Sequence, residues 1–211
     1  VIINIAGSTM DNYLETLDIL EEADSRHVGY EINISCPNVK EGGMEFGVNC
    51  EMTETLTREM RNHTDRLLIM KLSPNVTSIE DIAQASESGG ADAVSAINTL
   101  VGMGIDIKTR KPRLYTNMGG LSGPAIKPVA VAMVHKVFKA VDIPIIGIGG
   151  ISALEDVLEF ILAGASMVQV GTMNYREPDI GNRLAEELDA YCKSNDIVDL
   201  SSLIGKVEYH S

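Results

Sequence analysis

The sequence lacks the features that would place it in a membrane, on nucleic acid or around a metal ion. No apolar run reaches the roughly 18 residues that a membrane-spanning helix requires, and no glycine-rich apolar stretch has the flanks of a signal peptide. Lys and Arg number 17 against 30 Asp and Glu, a formal net charge of −13. Phosphate-backbone binding needs clustered cations, so a nucleic-acid surface is not expected. The cysteines Cys36, Cys50 and Cys192 have no C-x-x-C spacing, which argues against a disulfide framework or a cysteine-ligated cluster and fits a reducing compartment. His27, His63, His135 and His210 are isolated, outside any H-E-x-x-H pattern, and no metal site is expected. There is no low-complexity segment and no 20–50-residue repeat beyond a β–α period.

What is present is a chain able to bury one core. With 45% apolar content over 211 residues, it is expected to form a single domain spanning 1–211. Short β-branched or apolar runs recur between longer amphipathic stretches, the pattern of a parallel sheet with crossover helices. Six strands are predicted: Val1–Gly7, Tyr30–Cys36, Leu67–Ser73, Ala93–Asn98, Pro144–Gly150 and Met167–Thr172. Helices are predicted near residues 10–23, 52–62, 78–88, 127–140, 153–162 and 179–193.

The loops after these strands collect at one end of the sheet, the active face of a barrel. The expected fold is α/β, a (β/α)8 TIM barrel of which about six β–α units, the third to the eighth, are in this sequence. The chain opens without methionine inside an apolar strand, so an earlier segment of about 60 or more residues is expected to be missing. An open doubly wound sheet is the competing architecture, but no G-x-G-x-x-G follows the first strand. Two loops are long, Pro37–Glu51 and Thr99–Ala125. The second is read as a loop holding a turn cluster from Gly119 to Pro124, and loops of this length at the active end are usually lids or binding segments.

Several strands carry polar residues where a barrel core calls for branched aliphatics: Asn4, Asn33, Ser35, Lys71, Ser95 and Asn98. Burying an unpaired polar group costs about 2–7 kcal/mol, so the set requires partners, either a ligand or one another. The two-residue strand period sends Asn33 and Ser35 to the barrel interior and Ile32 and Ile34 to the helix layer. Pro37 then breaks the strand and lifts Cys36 to its mouth. A thiol there serves as base or nucleophile if its surroundings tune it, and is otherwise an inert small hydrophobe. Lys71 demands an anionic partner, met by a reduced flavin or by an acidic side chain. Gly147-Ile148-Gly149-Gly150 and Gly171-Thr172 end the last two strands, where this fold commonly binds phosphate.

Five motifs then occur in one order and spacing: Asn-Ile-Ser-Cys-Pro-Asn at 33–38, Lys-Leu-Ser-Pro-Asn at 71–75, Ile-Asn-Thr at 97–99, Gly-Gly-Leu-Ser-Gly-Pro-Ala-Ile-Lys-Pro at 119–128 and Gly-Ile-Gly-Gly-Ile at 147–151. Together they resemble class 1 dihydroorotate dehydrogenases, and Asn-Val-Lys-Glu-Gly-Gly at 38–43 resembles the NAD-linked class 1B catalytic subunit. The resemblance implies FMN as cofactor, with Asn4, Asn33, Lys71 and Ile97 around its ring system and ribityl chain, and Gly123, Gly149, Gly150, Gly171 and Thr172 towards its phosphate. It implies Asn33, Asn38, Asn98 and Thr99 as substrate-binding residues and Cys36 as catalytic base.

The implied reaction is oxidation of dihydroorotate to orotate in pyrimidine biosynthesis. The implied partners are an electron-transfer subunit with FAD and an iron–sulfur cluster, in a homodimer or heterotetramer, and the implied location is cytoplasmic. Competing expectations are an FMN module of the dihydropyrimidine dehydrogenase type acting on uracil or thymine, a phosphate-binding barrel isomerase and a non-catalytic barrel scaffold.

Overall fold

The computed structural model describes residues 1–23, 25–35 and 46–210. In chain order, β1 (Ile2–Ala6) leads to α1 (Met10–Glu22), β2 (Gly29–Asn33) to α2 (Cys50–His63), and β3 (Leu67–Leu72) to α3 (Ile79–Ser88). After β4 (Ala93–Ala96) come four short strands, β5 (Leu100–Gly102), β6 (Ile105–Asp106), β7 (Lys111–Pro112) and β8 (Gly119–Leu121), and then α4 (Lys127–Phe138). The described order ends with β9 (Ile145–Ile148), α5 (Leu154–Ala163), β10 (Met167–Gln169) and α6 (Ile180–Ser194).

Local chemistry fixes where the helices start. Thr9 accepts from the Asn12 amide at 3.2 Å, Asn49 from Met52 at 3.1 Å and Ser78 from Asp81 at 3.3 Å, each side chain satisfying an amide that its helix cannot. In α4 the same end is occupied by Pro128, whose missing N–H is harmless in a first turn. At α5, Asp156 reaches back to the amides of Ser152 and Ala153 at 2.8 and 3.0 Å.

Six strands form one parallel sheet in the order β1-β2-β3-β4-β9-β10. Each strand of this sheet beyond the first is laid beside its predecessor by a crossover through a helix, as parallel pairing requires. The sheet is strongly curled. Four strand spacings separate β2 from β10, about 19 Å in a flat sheet. Yet the Gln169 side chain of β10 donates to the Glu31 carboxylate of β2 at 3.0 Å. The six strands therefore make the wall of a (β/α) barrel, as the strand count and strand-end residues predict.

Strand alternation divides the side chains between two faces. Outward, Ile5, Tyr30, Ile32, Leu68, Met70, Leu72, Val94 and Ile145 meet helix residues such as Leu17, Leu56, Ile82, Val134 and Phe160 in the main buried cluster. Inward, a small second cluster of Ile69, Ala93 and Ile146, with Leu67 against it, forms a floor at the strands' N-terminal end. Ile34 joins the outward cluster, as its alternation with Asn33 and Ser35 requires.

All six predicted parallel strands and six helices are present, the strands shorter than expected at their ends. The segment read as one long loop after β4 differs. It contains two antiparallel pairs, β5 with β8 and β6 with β7. Gly119 and Gly120, read as part of a turn cluster, lie in β8 instead. The physical reason is a close approach: a Cβ on Gly120 would stand 2.2 Å from the Thr99 hydroxyl, so only a glycine lets β8 lie over that residue.

Candidate active site

At the centre of the inward face stands Glu31, a residue sequence reasoning passed over. Its carboxylate is 7% exposed and gathers donors from four other strands. Asn4 donates at 2.7 Å, Lys71 at 3.1 Å, Ser95 at 2.8 Å and Gln169 at 3.0 Å. Burial raises the carboxyl pKa, but the Lys71 charge and the hydrogen bonds from Ser95, Lys71 and Gln169 more than offset it, leaving the group below its usual range. Three of the polar strand residues singled out in the sequence, Asn4, Lys71 and Ser95, are thus partnered by Glu31. No buried side-chain nitrogen or oxygen among the described residues lacks a hydrogen-bond partner. The signal was available, because Glu31 is two residues from Asn33 and shares its face.

One layer further along the strands, the donors and acceptors become neutral. Asn98 donates through Nδ2 to Asn33 Oδ1 at 3.0 Å, while its own Oδ1 accepts from the Thr99 amide at 2.8 Å. Asn33 Oδ1 also accepts from the Ser35 amide at 3.2 Å. The backbone of Asn33 is pinned from behind by the Tyr13 hydroxyl at 2.7 Å. These residues open into a cavity of about 580 Å³ that also borders Ser73, Asn75, Thr116 and Met118. Asn75 is a second residue that sequence reasoning did not assign. Its Nδ2 donates to the Thr99 carbonyl at 2.9 Å and its Oδ1 accepts from the Val101 amide at 2.9 Å, holding β5 over the cavity.

The expected substrate residues Asn33, Asn98 and Thr99 are therefore brought together. Cys36 and Asn38 lie outside the described residues. Among the residues expected around a cofactor, Asn4 and Lys71 meet through Glu31, and Asn33 is the register partner of Lys71. Ile97 is buried and its amide donates to the Ile148 carbonyl at 2.9 Å, joining the ends of β4 and β9.

The glycines form a separate group at the same end of the sheet. Gly123, Gly149 and Gly150 have φ of 87°, 138° and 80°, a region that side chains rarely adopt. A Cβ on Gly150 would lie 2.8 Å from the Gly123 carbonyl oxygen, so the two loops touch backbone to backbone. The Thr172 hydroxyl donates to Ser122 Oγ at 2.9 Å, tying in the loop after β10. A Cβ on Gly171 would meet nothing within 4 Å, which leaves open space beside this backbone. Nearby Lys127 is already engaged by Asp156 at 2.7 Å and Glu159 at 2.6 Å.

The family model described as dihydroorotate dehydrogenase matches residues 1–191. The chain belongs to the dihydroorotate dehydrogenase family. Among curated relatives, the "Dihydroorotate dehydrogenase B (NAD(+)), catalytic subunit" of Porphyromonas gingivalis is 48% identical over 208 residues, covering 98% of this chain and 67% of the relative. The protein of the same name from Bacillus pumilus is 54% identical over 188 residues, covering 89% of this chain and 60% of the relative. The chain thus spans about two thirds of the length of the curated dihydroorotate dehydrogenases it matches. Among solved structures, a dihydroorotate dehydrogenase from Eimeria tenella, in complex with ferulenol, superimposes with a TM-score of 0.75 at 23% identity, covering 93% of this chain and 57% of that one. That likeness shows the barrel fold.

Proposed function

We propose that the complete protein oxidises dihydroorotate to orotate in pyrimidine biosynthesis, with FMN and substrate held at the inward face of the sheet and residues 1–211 acting as one domain. The observation that carries this reading is the cavity at the strands' C-terminal ends bounded by Asn33, Asn98 and Thr99 in a chain of this family. A dihydropyrimidine ring presents alternating N–H donors and carbonyl acceptors at its edge, and carboxamides can meet both. Asn33 and Asn98 are hydrogen-bonded to each other, so the two carboxamides sit close enough to contact one ring edge together.

The residues present fit a flavin mononucleotide. Lys71, a mostly buried cation, would hold the flavin ring together with Asn4, Asn33 and Ile97. Gly171, with open space beside its backbone, and the touching loops of Gly123, Gly149 and Gly150 suit a phosphate, with Thr172 supplying a hydroxyl. When bound, the flavin supplies the hydride acceptor. The protein's contribution is to orient the ring between Asn33, Asn98, Thr99 and Asn38, and to remove the C5 proton with the Cys36 thiolate as hydride leaves C6. A cysteine with an ordinary pKa near 8.5 is a suitable base close to neutrality once its surroundings favour the thiolate.

The electrons leave through a partner subunit, for which the name of the relatives, an NAD(+)-linked catalytic subunit, is the support. We assign that partner an FAD and an iron–sulfur cluster. Exposed Ile105, Ile107, Tyr115 and Met118, clustered in the β5–β8 segment, support assembly as a homodimer or heterotetramer, since grouped apolar exposure of this kind marks contact surfaces. The family and the free Cys50 and Cys192 support a cytoplasmic location.

The test is anaerobic reduction of the flavin in the full-length protein by dihydroorotate, followed in the visible spectrum. Cys36→Ser is expected to slow bleaching by about 10²–10⁴-fold, the usual worth of a positioned general base. Absence of bound flavin, bleaching by uracil in place of dihydroorotate, or an unchanged rate in Cys36→Ser each defeats the proposal.

A further inference from the structure

We propose that Glu31 is the positioning residue for Lys71, and that its carboxylate sets how strongly the site favours reduced over oxidised flavin. The inference rests on the function proposed above and concerns a residue to which that function gives no role.

Three observations carry it. Glu31 lies on the inward face, where the two-residue period shares it with Asn33, and its side chain is only 7% exposed. It is the common acceptor for side chains from β1, β3, β4 and β10, so its position is fixed by the curl of the whole sheet rather than by its own strand. Its one cationic donor among these is Lys71, whose ammonium is held at 3.1 Å and whose side chain is 17% exposed. The neutral donors Asn4, Ser95 and Gln169 fill the remaining lone pairs of the carboxylate. Among the described residues that arrangement leaves Lys71 a single ionic tether and directs its long, otherwise mobile chain to one place.

A purely structural carboxylate would serve to satisfy its neighbours. The position of this one has an electrostatic consequence as well. Reduced flavin carries negative charge at one edge of its ring, and a cation beside that edge favours reduction. An anion fixed 3.1 Å from the same cation cancels part of its field. Glu31 thus trades driving force for geometry: it aims Lys71 while holding the site's preference for the reduced flavin in check. A flavin that must pass electrons onward needs such a limit, because an over-stabilised reduced form would not release them.

The experiment uses the full-length, FMN-loaded protein and its Glu31→Gln variant, which keeps the shape and removes the charge. Binding constants for oxidised and reduced FMN and the two-electron midpoint potential are measured together. Glu31→Gln is expected to raise the reduced-to-oxidised affinity ratio about tenfold, an upward shift of about 30 mV for a two-electron couple, while Glu31→Asp, which retains the charge, stays near wild type. A structural role alone would lower the melting temperature in both variants and leave the potential unmoved. That result overturns the proposal. Should Glu31→Gln fail to fold, Gln169→Lys sets a second cation against the same carboxylate, and its potential rises if the proposal holds and stays put if it does not. A wild-type protein that binds no flavin overturns the function above and this inference with it. A wild type bleached by dihydroorotate, with unmoved potentials in the charge variants, overturns this inference alone.

Discussion

The two faces of the parallel sheet are written in the same strands, one residue out of step, and they solve opposite problems. Outward residues such as Leu68, Met70 and Leu72 need only shape, because helices cover them and water is gone. Inward residues such as Glu31, Lys71 and Ser95 need specific partners, because a buried charge or hydroxyl left alone is costly. The outward face stabilises through area. The inward face grades from an apolar floor at Ile69, Ala93 and Ile146, through the Glu31 hub, to the neutral amides of Asn33 and Asn98 at the mouth. An apolar floor and an ionic middle hold position, and the mouth is the part proposed to meet a ligand.

Perturbing either face separates what it does. The largest effect on folding is expected from Phe160→Ala on the outward side. Phe160 is fully buried, and its loss is expected to destabilise by about 3–5 kcal/mol in denaturant unfolding, with flavin retention by the folded fraction unchanged. Lys71→Met on the inward side is expected to lose about 3 kcal/mol at pH 8, as the Glu31 carboxylate loses its cation. The sign with pH is definite. Glu31 has a lowered folded pKa, so its ionic contribution is present above the ordinary value of 4.5 and is lost as pH falls through the folded one. The gap between wild type and Lys71→Met should therefore narrow in unfolding curves taken towards pH 4. A gap that widens in acid would contradict the Glu31 assignment.

Smaller effects sharpen the contrast at the mouth. Asn98→Ala is expected to change stability by about 1 kcal/mol and to raise KM for dihydroorotate about tenfold, read from steady-state kinetics of the complete protein. Gly171→Ala introduces a methyl into open space at a φ of −104°, so stability should move by less than about 0.5 kcal/mol. Retention of FMN on a desalting column should nevertheless fall, since that space is the one proposed for phosphate.

The same contrast explains what was legible in the sequence. Alternation and helix caps are local signals, and the six parallel strands and six helices follow from them. Asn33 and Asn98 were readable because polar residues in strands are out of place in a core, whereas Thr99 was named only through the resemblance to the family. Glu31 was missed although its parity with Asn33 marked it as inward, because its partners lie 27, 40, 64 and 138 residues away and only the curl of the sheet brings them in. The β5–β8 pairs were missed because strands of two and three residues show no periodicity, and because Gly119 and Gly120 read locally as a turn. Asn75 sat inside a motif, but its hold on Thr99 and Val101 is a contact between loops that no spacing announces.

The most direct test of the account is the FMN-induced rise in melting temperature, measured on the full-length wild type, Phe160→Ala and Lys71→Met. At FMN about 100-fold above its Kd, the wild type should gain about 2.7 kcal/mol. Phe160→Ala should start lower and gain as much, whereas Lys71→Met should gain far less. An equal gain in Lys71→Met, or a loss of the gain in Phe160→Ala, would contradict the division of labour between the two faces.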